Sequence, residues 1–355
     1  MEPKFFEGCN VENNHNEDLT MNKNIILCTL IFTLLTACGT SAPIAQPPTS
    51  KSNLTTPTLV KESDSSAEKI TYSYEMDVYV MNVDGSGITQ LTTHPEADFD
   101  SVWSPDGTQI AFRSHRDGNE EVYVMNADGS NQHNISNAPN GDYSPAWSPD
   151  GKWIAFMSDR NGGNPNVWVM EPDGSNPRQV TKIPGISEYP TWSPDSNQIA
   201  FHCTFGKRLS SGTGDFEICV VNADGSNLVQ ITDTEGGNKY PAWSPDGIKI
   251  AFESDRDGWP TLPDYVPLGY DDGDYGDAEI YIMNEDGSEQ VNISNHPREG
   301  DSFPAWSKDG RIIFSRYGCL WIMNADGSGL IPISEAGCSG NDSGHFPDWY
   351  QPFKP

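Results

Sequence analysis

One phrase recurs through this chain and limits what it can fold into: Trp-Ser-Pro-Asp-Gly, an alternating apolar stretch, then Asn-x-Asp-Gly-Ser. Its best-preserved copy runs Ala146-Trp147-Ser148-Pro149-Asp150-Gly151, Ile154-Ala155-Phe156, Val167-Trp168-Val169-Met170 and Pro172-Asp173-Gly174-Ser175. The heading tryptophans are Trp103, Trp147, Trp192, Trp243, Trp306 and a degraded Trp349, spaced by 44, 45, 51, 63 and 43 residues. The Asp-Gly-Ser turns begin at Asp84, Asp128, Asp173, Asp224, Asp286 and Asp326. A self-similar period in the forties, built of short strands, marks a β-propeller.

Within a unit the first strand ends at Trp-Ser, and Pro-Asp-Gly reverses the chain. Proline presets φ at the second turn position and glycine accepts the left-handed conformation. The second strand, Ile-Ala-Phe-x-Ser, alternates with period two. A third strand follows, Asn-x-Asp-Gly makes a second hairpin, and an outer strand ends at pairs such as Leu91-Thr92 and Ile135-Ser136. Residues 69–92 hold strands two to four with no tryptophan strand before them, while Phe346-Pro347-Asp348-Trp349 is a first strand with nothing after it. The expectation is an all-β, six-bladed propeller over 69–353 with four antiparallel strands per blade. The C-terminal strand completes the N-terminal blade, which removes open sheet edges. The two kinds of tight turn share one uniform face. The irregular loops, 202–216 and 257–278, share the other, the arrangement of a scaffold that displays a binding surface.

Ahead of the repeat, residues 1–20 are polar and aperiodic and read as a non-translated or non-structural extension, with Met21 as the true start. Met21-Asn22-Lys23-Asn24, the apolar run Ile25 to Thr36, and Ala37-Cys38-Gly39 have the basic start, apolar stretch and small residues of a secretory signal. The run is shorter than the about 20 residues that span a bilayer. Leu35-Thr36-Ala37-Cys38 resembles a bacterial lipobox, which implies a signal peptide over 21–37 and lipidation of Cys38. Residues 38–68, rich in Ser, Thr, Pro and Ala, read as a flexible tether. These features predict an exported, monomeric protein held to a bacterial membrane by lipid alone, facing the periplasm or the cell exterior.

The formal charge is −30, from 51 acidic and 21 basic residues, which repels phosphate backbones and argues against nucleic acid as a partner. Much of that acidity is spent in Asp-Gly turns.

The sequence Trp-Ser-Pro-Asp-Gly, Ile-Ala-Phe, Ser-Asp-Arg-x-Gly, Asp-Gly-Ser resembles the TolB-type propeller repeat over about residues 69–353. In the family's best-known member a separate α/β domain precedes such a propeller, which serves protein contacts in the periplasm. The lipobox and the tether, which stands in place of that domain, depart from that member, and the expectation is a lipoprotein form of the family. Similar repeats form the non-catalytic propeller of prolyl-oligopeptidase-type peptidases.

No Gly-x-Ser-x-Gly elbow, His-Glu-x-x-His pair or phosphate-cradling glycine loop occurs in the folded region. The expected function is therefore non-catalytic binding of an envelope protein or peptidoglycan-associated component through the variable face, with no cofactor. The alternative is a metal-assisted polysaccharide lyase or hydrolase at the funnel. Histidines 94, 115, 133, 202, 296 and 345 would serve it, although no pair has local ligand spacing. Arg116, Arg160, Arg256 and Arg316 end the second strand of four blades and are candidates to hold an acidic ligand; the competing account is a structural ion pair with a nearby Asp. The loop carrying Asp271, Asp274, Asp277 and Glu279 offers oxygen ligands to calcium, with spacing unlike an EF-hand. Cys203, Cys219, Cys319 and Cys338 suggest two disulfides, and Cys203–Cys219 with Cys319–Cys338 is the preferred of three connectivities.

Overall fold

The computed structural model describes residues 68–350 apart from 206–215, 235, 258–277, 297–299, 317 and 334–345. Six four-stranded antiparallel sheets form the blades of a propeller. Blades 2 to 6 are continuous and lie at 98–134, 142–179, 187–230, 238–292 and 301–332. Blade 1 is shared: Lys69–Tyr74, Asp77–Asn82 and Thr89–Gln90 are joined on the inside by the closing strand Asp348–Tyr350. That strand pairs Lys69 with Tyr350, Ile70 with Trp349 and Thr71 with Asp348.

The repeat residues explain the blades. The phenylalanine of the second strand in blades 2 to 6 (Phe112, Phe156, Phe201, Phe252, Phe314) is fully buried. Cores form between blades: Trp103 packs with Val78, Val80 and Leu91 of blade 1 and with Ile110 and Phe112 of its own blade. Trp192 and Trp306 also donate an indole N–H to the preceding blade, at Ala146 O (3.1 Å) and Ala242 O (3.0 Å). The turn aspartates fold the hairpins, since Ser104, Ser148 and Ser193 donate to Asp106, Asp150 and Asp195 at 2.7, 2.7 and 2.6 Å. Gly174 is needed twice over. Its φ is +81°, and a Cβ there would stand 2.1 Å from the Ile135 carbonyl oxygen of the preceding blade.

The outer strands are shorter than the pattern implies, two residues each. In blades 1 to 5 the hydroxyl residue two positions after the outer strand leaves the ladder to cap the third strand. Thr232 Oγ1 accepts from Ile218 N (2.8 Å) and donates to Glu217 (2.5 Å); Ser294 does the same with Ile280 N (2.9 Å) and Glu279 (2.5 Å). Two departures from the repeat acquire partners. Ser196, in the turn-glycine place with φ 61°, accepts the Asp150 backbone N–H at 3.1 Å. Lys308, in the proline place, puts its ammonium 5.4 Å over the Tyr350 ring of the closing strand.

Candidate functional site

The innermost strands carry a device that the pattern did not reveal. In blades 2 to 6 the register with the second strand slips at one point, between Phe99 and Val102, Tyr143 and Ala146, Glu188 and Thr191, Lys239 and Ala242, and Ser302 and Ala305. Within each bulge one non-glycine residue has positive φ: Asp100 (53°), Ser144 (47°), Tyr189 (51°), Tyr240 (50°) and Phe303 (57°). Such a backbone costs roughly 1–2 kcal/mol per residue. All stand three residues before the blade's tryptophan, as does Phe346 in the closing strand.

Four of these six side chains plug the channel. Ring centroids lie 4.6 Å apart for Tyr189 and Tyr240, 4.5 Å for Tyr240 and Phe303, and 4.0 Å for Phe303 and Phe346. Tyr189 also stacks on Phe346 at 5.6 Å. Blades 4 and 1 are opposite in a ring of six, so that contact crosses the axis. The remaining two complete a polar half: Ser144 donates to Asp100 at 3.2 Å, and Arg113 holds Asp100 at 3.0 Å.

Above the plug, on the loop face, the two halves differ in chemistry. On the polar side Arg113 also approaches Glu120 (3.6 Å) and lies 5.0 Å over Phe99 and 5.9 Å from Tyr143. Burial pushes the Glu120 carboxyl up against the pull of Arg113 and His115. On the aromatic side His202 is buried. Its Nδ1 accepts the Tyr240 backbone N–H at 3.3 Å, which assigns the proton of a neutral ring to Nε2, 3.2 Å from Glu188. Phe216 and Tyr189 flank that imidazole at 4.7 and 5.1 Å, and Lys239 stands 5.7 Å from Phe216.

The four arginines singled out from sequence lie elsewhere, each inside its own blade. Arg116 binds both oxygens of Asp98 (3.0 and 2.9 Å) and Gln132 (2.8 Å); Arg160 binds Asp142 (2.7 Å); Arg256 binds Asn238 (2.7 Å). Arg316 and Asp301 form a buried bidentate pair at 2.6 and 2.7 Å. Each guanidinium also covers two aromatic rings of its blade, as Arg160 does with Phe156 and Trp168, both at 4.9 Å. Burial raises the Asp142 and Asp301 carboxyls, and their arginines oppose it.

Of the carboxylates assigned to calcium, Asp271, Asp274 and Asp277 lie outside the described residues. Glu279 is buried, accepting from Ser294 and from the His296 backbone (2.8 and 3.0 Å), the place Glu121 and Glu217 hold in their blades. Among the described residues no three His, Cys, Asp or Glu side chains gather as a metal site. Cys203 and Cys219 are disulfide-bonded on the two strands flanking the long loop of blade 4. Cys319 is also disulfide-bonded, and Cys338 lies outside the described residues, as does His345.

Known proteins share this architecture. The model of the TolB beta propeller domain matches residues 131–209 and 180–274, and that of the Tricorn protease N-terminal beta propeller domain matches 57–160. An uncharacterized peptidase of Bacillus subtilis is 35% identical over 82 residues, 23% of this chain and 10% of that protein. An uncharacterized protein of Agrobacterium fabrum is 35% identical over 96 residues, 26% of this chain and 33% of that protein. The matched segments thus span a third or less of these curated relatives. Among solved structures, the putative TolB of Agrobacterium tumefaciens superposes with a TM-score of 0.58 at 22% identity, covering 76% of this chain and 88% of that one. TolB of Acinetobacter baumannii gives 0.58 at 21% identity, covering 81% and 67%. The tricorn protease gives 0.57 at 17%, covering 78% of this chain and 26% of that one. At such identities the superpositions speak for the fold. The repeat phrase and the matches to the propeller models make this chain a TolB-like β-propeller family protein.

Proposed function

We propose that the protein is an exported, lipid-anchored component of the bacterial cell envelope that binds a protein partner, or a peptidoglycan-associated one, at the loop-face mouth of its channel. The observation that carries this reading is where the chain departs from its own repeat. Turns, caps and Arg–Asp pairs recur from blade to blade and are spent on the fold. Near the mouth the aligned positions of blades 2 to 6 hold Phe99, Tyr143, Glu188, Lys239 and Ser302, so aromatic, acidic, basic and hydroxyl side chains replace one another at equivalent places. Aromatic rings beside mixed charges suit a protein surface, because apolar area supplies affinity and charge supplies selectivity.

Site-specific photo-crosslinking in intact cells tests it. A crosslinker at Tyr143 or Glu188 should capture a discrete partner, and one at Thr108 on the uniform face should not. Adducts only from Thr108 would overturn the assignment of the face. Cys38→Ser should move the protein from the membrane to the soluble fraction; unchanged membrane association would overturn the lipid anchor.

A further inference from the structure

Blade 3 differs from blades 2 and 5 at one point near the loop face. In blade 2 the Tyr123 hydroxyl donates to Asp117 Oδ2, and Asn134 donates to the same oxygen at 2.9 Å. In blade 5 Tyr281 and Asn292 (2.9 Å) close on Asp257 in the same way. The aligned residues of blade 3 are Asn161, Trp168 and Gln179. An indole has no hydroxyl, so this triad does not close. Its remaining link is Asn161 Nδ2 to Gln179 Oε1 at 3.2 Å.

The connecting loop is also one residue longer than that of blade 2 and carries Gly162-Gly163-Asn164. Asn164 ties it outward by donating to Pro184 O at 2.8 Å, and a Cβ on Gly162 or Gly163 would meet nothing within 4 Å. The result is an open recess of about 190 Å³ where blades 2 and 5 have a closed triad. Trp168 and Ile183 give it apolar surface; Asn161, Asn164 and Gln179 give it amides. The Asp159 Oδ1 is buried without a hydrogen-bond partner among the described residues. The nearby cation, Arg160, is already neutralised by Asp142 at 2.7 Å.

We propose that this recess is a binding site for one ring of a neutral sugar. Planar amides and a carboxylate oxygen offer paired donors and acceptors, and a sugar hydroxyl is both. An indole offers the apolar surface that the C–H side of a pyranose needs. The volume is below the roughly 300–1,000 Å³ of pockets that enclose drug-sized ligands, so it suits a single ring. Because Arg160 is neutralised, a neutral ligand fits better than an anionic one. The site is separate from the channel mouth and goes beyond the function proposed above, so either assignment can fail alone.

The test is saturation-transfer NMR on the full chain with glucose, galactose, mannose and N-acetylglucosamine as probes. At least one should receive saturation, with a Kd in roughly the millimolar range. The triple variant Asn161→Asp, Trp168→Tyr, Gln179→Asn installs the blade 2 residues and should weaken binding by about tenfold or more. The double variant Asn164→Ala, Gln179→Ala alters exposed or half-buried amides and serves if the triple variant does not fold. No transfer from any of the four sugars overturns the proposal, as does undiminished binding in a folded variant.

Discussion

The Asp348 carboxylate accepts the backbone N–H of Trp103 at 2.8 Å, joining two residues 245 positions apart. In the other blades the aligned position is Val102, Ala146, Thr191, Ala242 or Ala305. Asp348 thus places an ionisable group in an otherwise uncharged slot, where the three-residue closing strand meets blade 2. Burial pushes its pKa up to about 6, against the two backbone hydrogen bonds it accepts. A folded pKa above the unfolded value means the group favours the fold fully below about pH 4, and that contribution is lost as pH rises through about 6.

Asp348→Asn keeps an acceptor for Trp103 and removes the buried charge. The variant should gain about 1–3 kcal/mol at pH 8 and nothing near pH 4. Chemical denaturation at both pH values measures it; a loss at pH 8 would contradict the assignment.

The exposed turn aspartates act with the opposite sign. Hydrogen bonds from the following serine hydroxyl and backbone hold Asp84, Asp128, Asp173, Asp224, Asp286 and Asp326 below the usual carboxylate range. Their contribution is present above the unfolded pKa and disappears as pH falls through the folded one. Melting temperature should therefore drop on acidification below about pH 4, and Asp→Asn at these six sites should flatten that limb. An unchanged slope would remove these turns from the account.

Arg316→Ala leaves Asp301 buried with an uncompensated charge and should cost about 3–5 kcal/mol. Adding Asp301→Asn should recover much of this, which a double-mutant cycle resolves. Purely additive losses would mean the pair is not coupled.

Cysteines 203 and 219 are 16 residues apart, and the bond between them should be worth about 3 kcal/mol. The double variant Cys203→Ala, Cys219→Ala should melt several degrees lower under oxidising conditions. Equal melting temperatures would argue that the loop is held by other contacts.

Gly174→Ala forces a methyl group toward the Ile135 carbonyl at positive φ and should cost about 2–4 kcal/mol. Gly162→Ala has the same sign of φ and open space, so it should cost only about 1–2 kcal/mol. A smaller loss at 174 than at 162 would refute the interblade contact.

The blades were legible because each repeat residue does a local job: Pro and Gly set turns, Ser–Asp pairs hold them, and alternating Ile and Phe build the interblade cores. Ring closure was legible for the same reason, from a strand missing at one end and left over at the other. The arginines were located at the right strand ends, but their partners come from first-strand positions 15 or 18 residues earlier, across a hairpin. The channel plug was not read. A bulge reverses the direction in which one side chain points, and period-two alternation has no term for it. Aligning the residue three before each tryptophan would have grouped Tyr189, Tyr240, Phe303 and Phe346. The recess in blade 3 likewise shows only when Trp168 is compared with Tyr123 and Tyr281 and the Gly162-Gly163-Asn164 loop with the shorter one of blade 2.

The bulges also separate two kinds of change that most folds keep entangled. At positions 100, 144, 189, 240 and 303 the side chain belongs to the channel, while the tryptophan three residues on belongs to an interblade core. The axis of this protein can therefore be rewritten one letter per blade, as a short word whose spelling leaves the surrounding grammar intact.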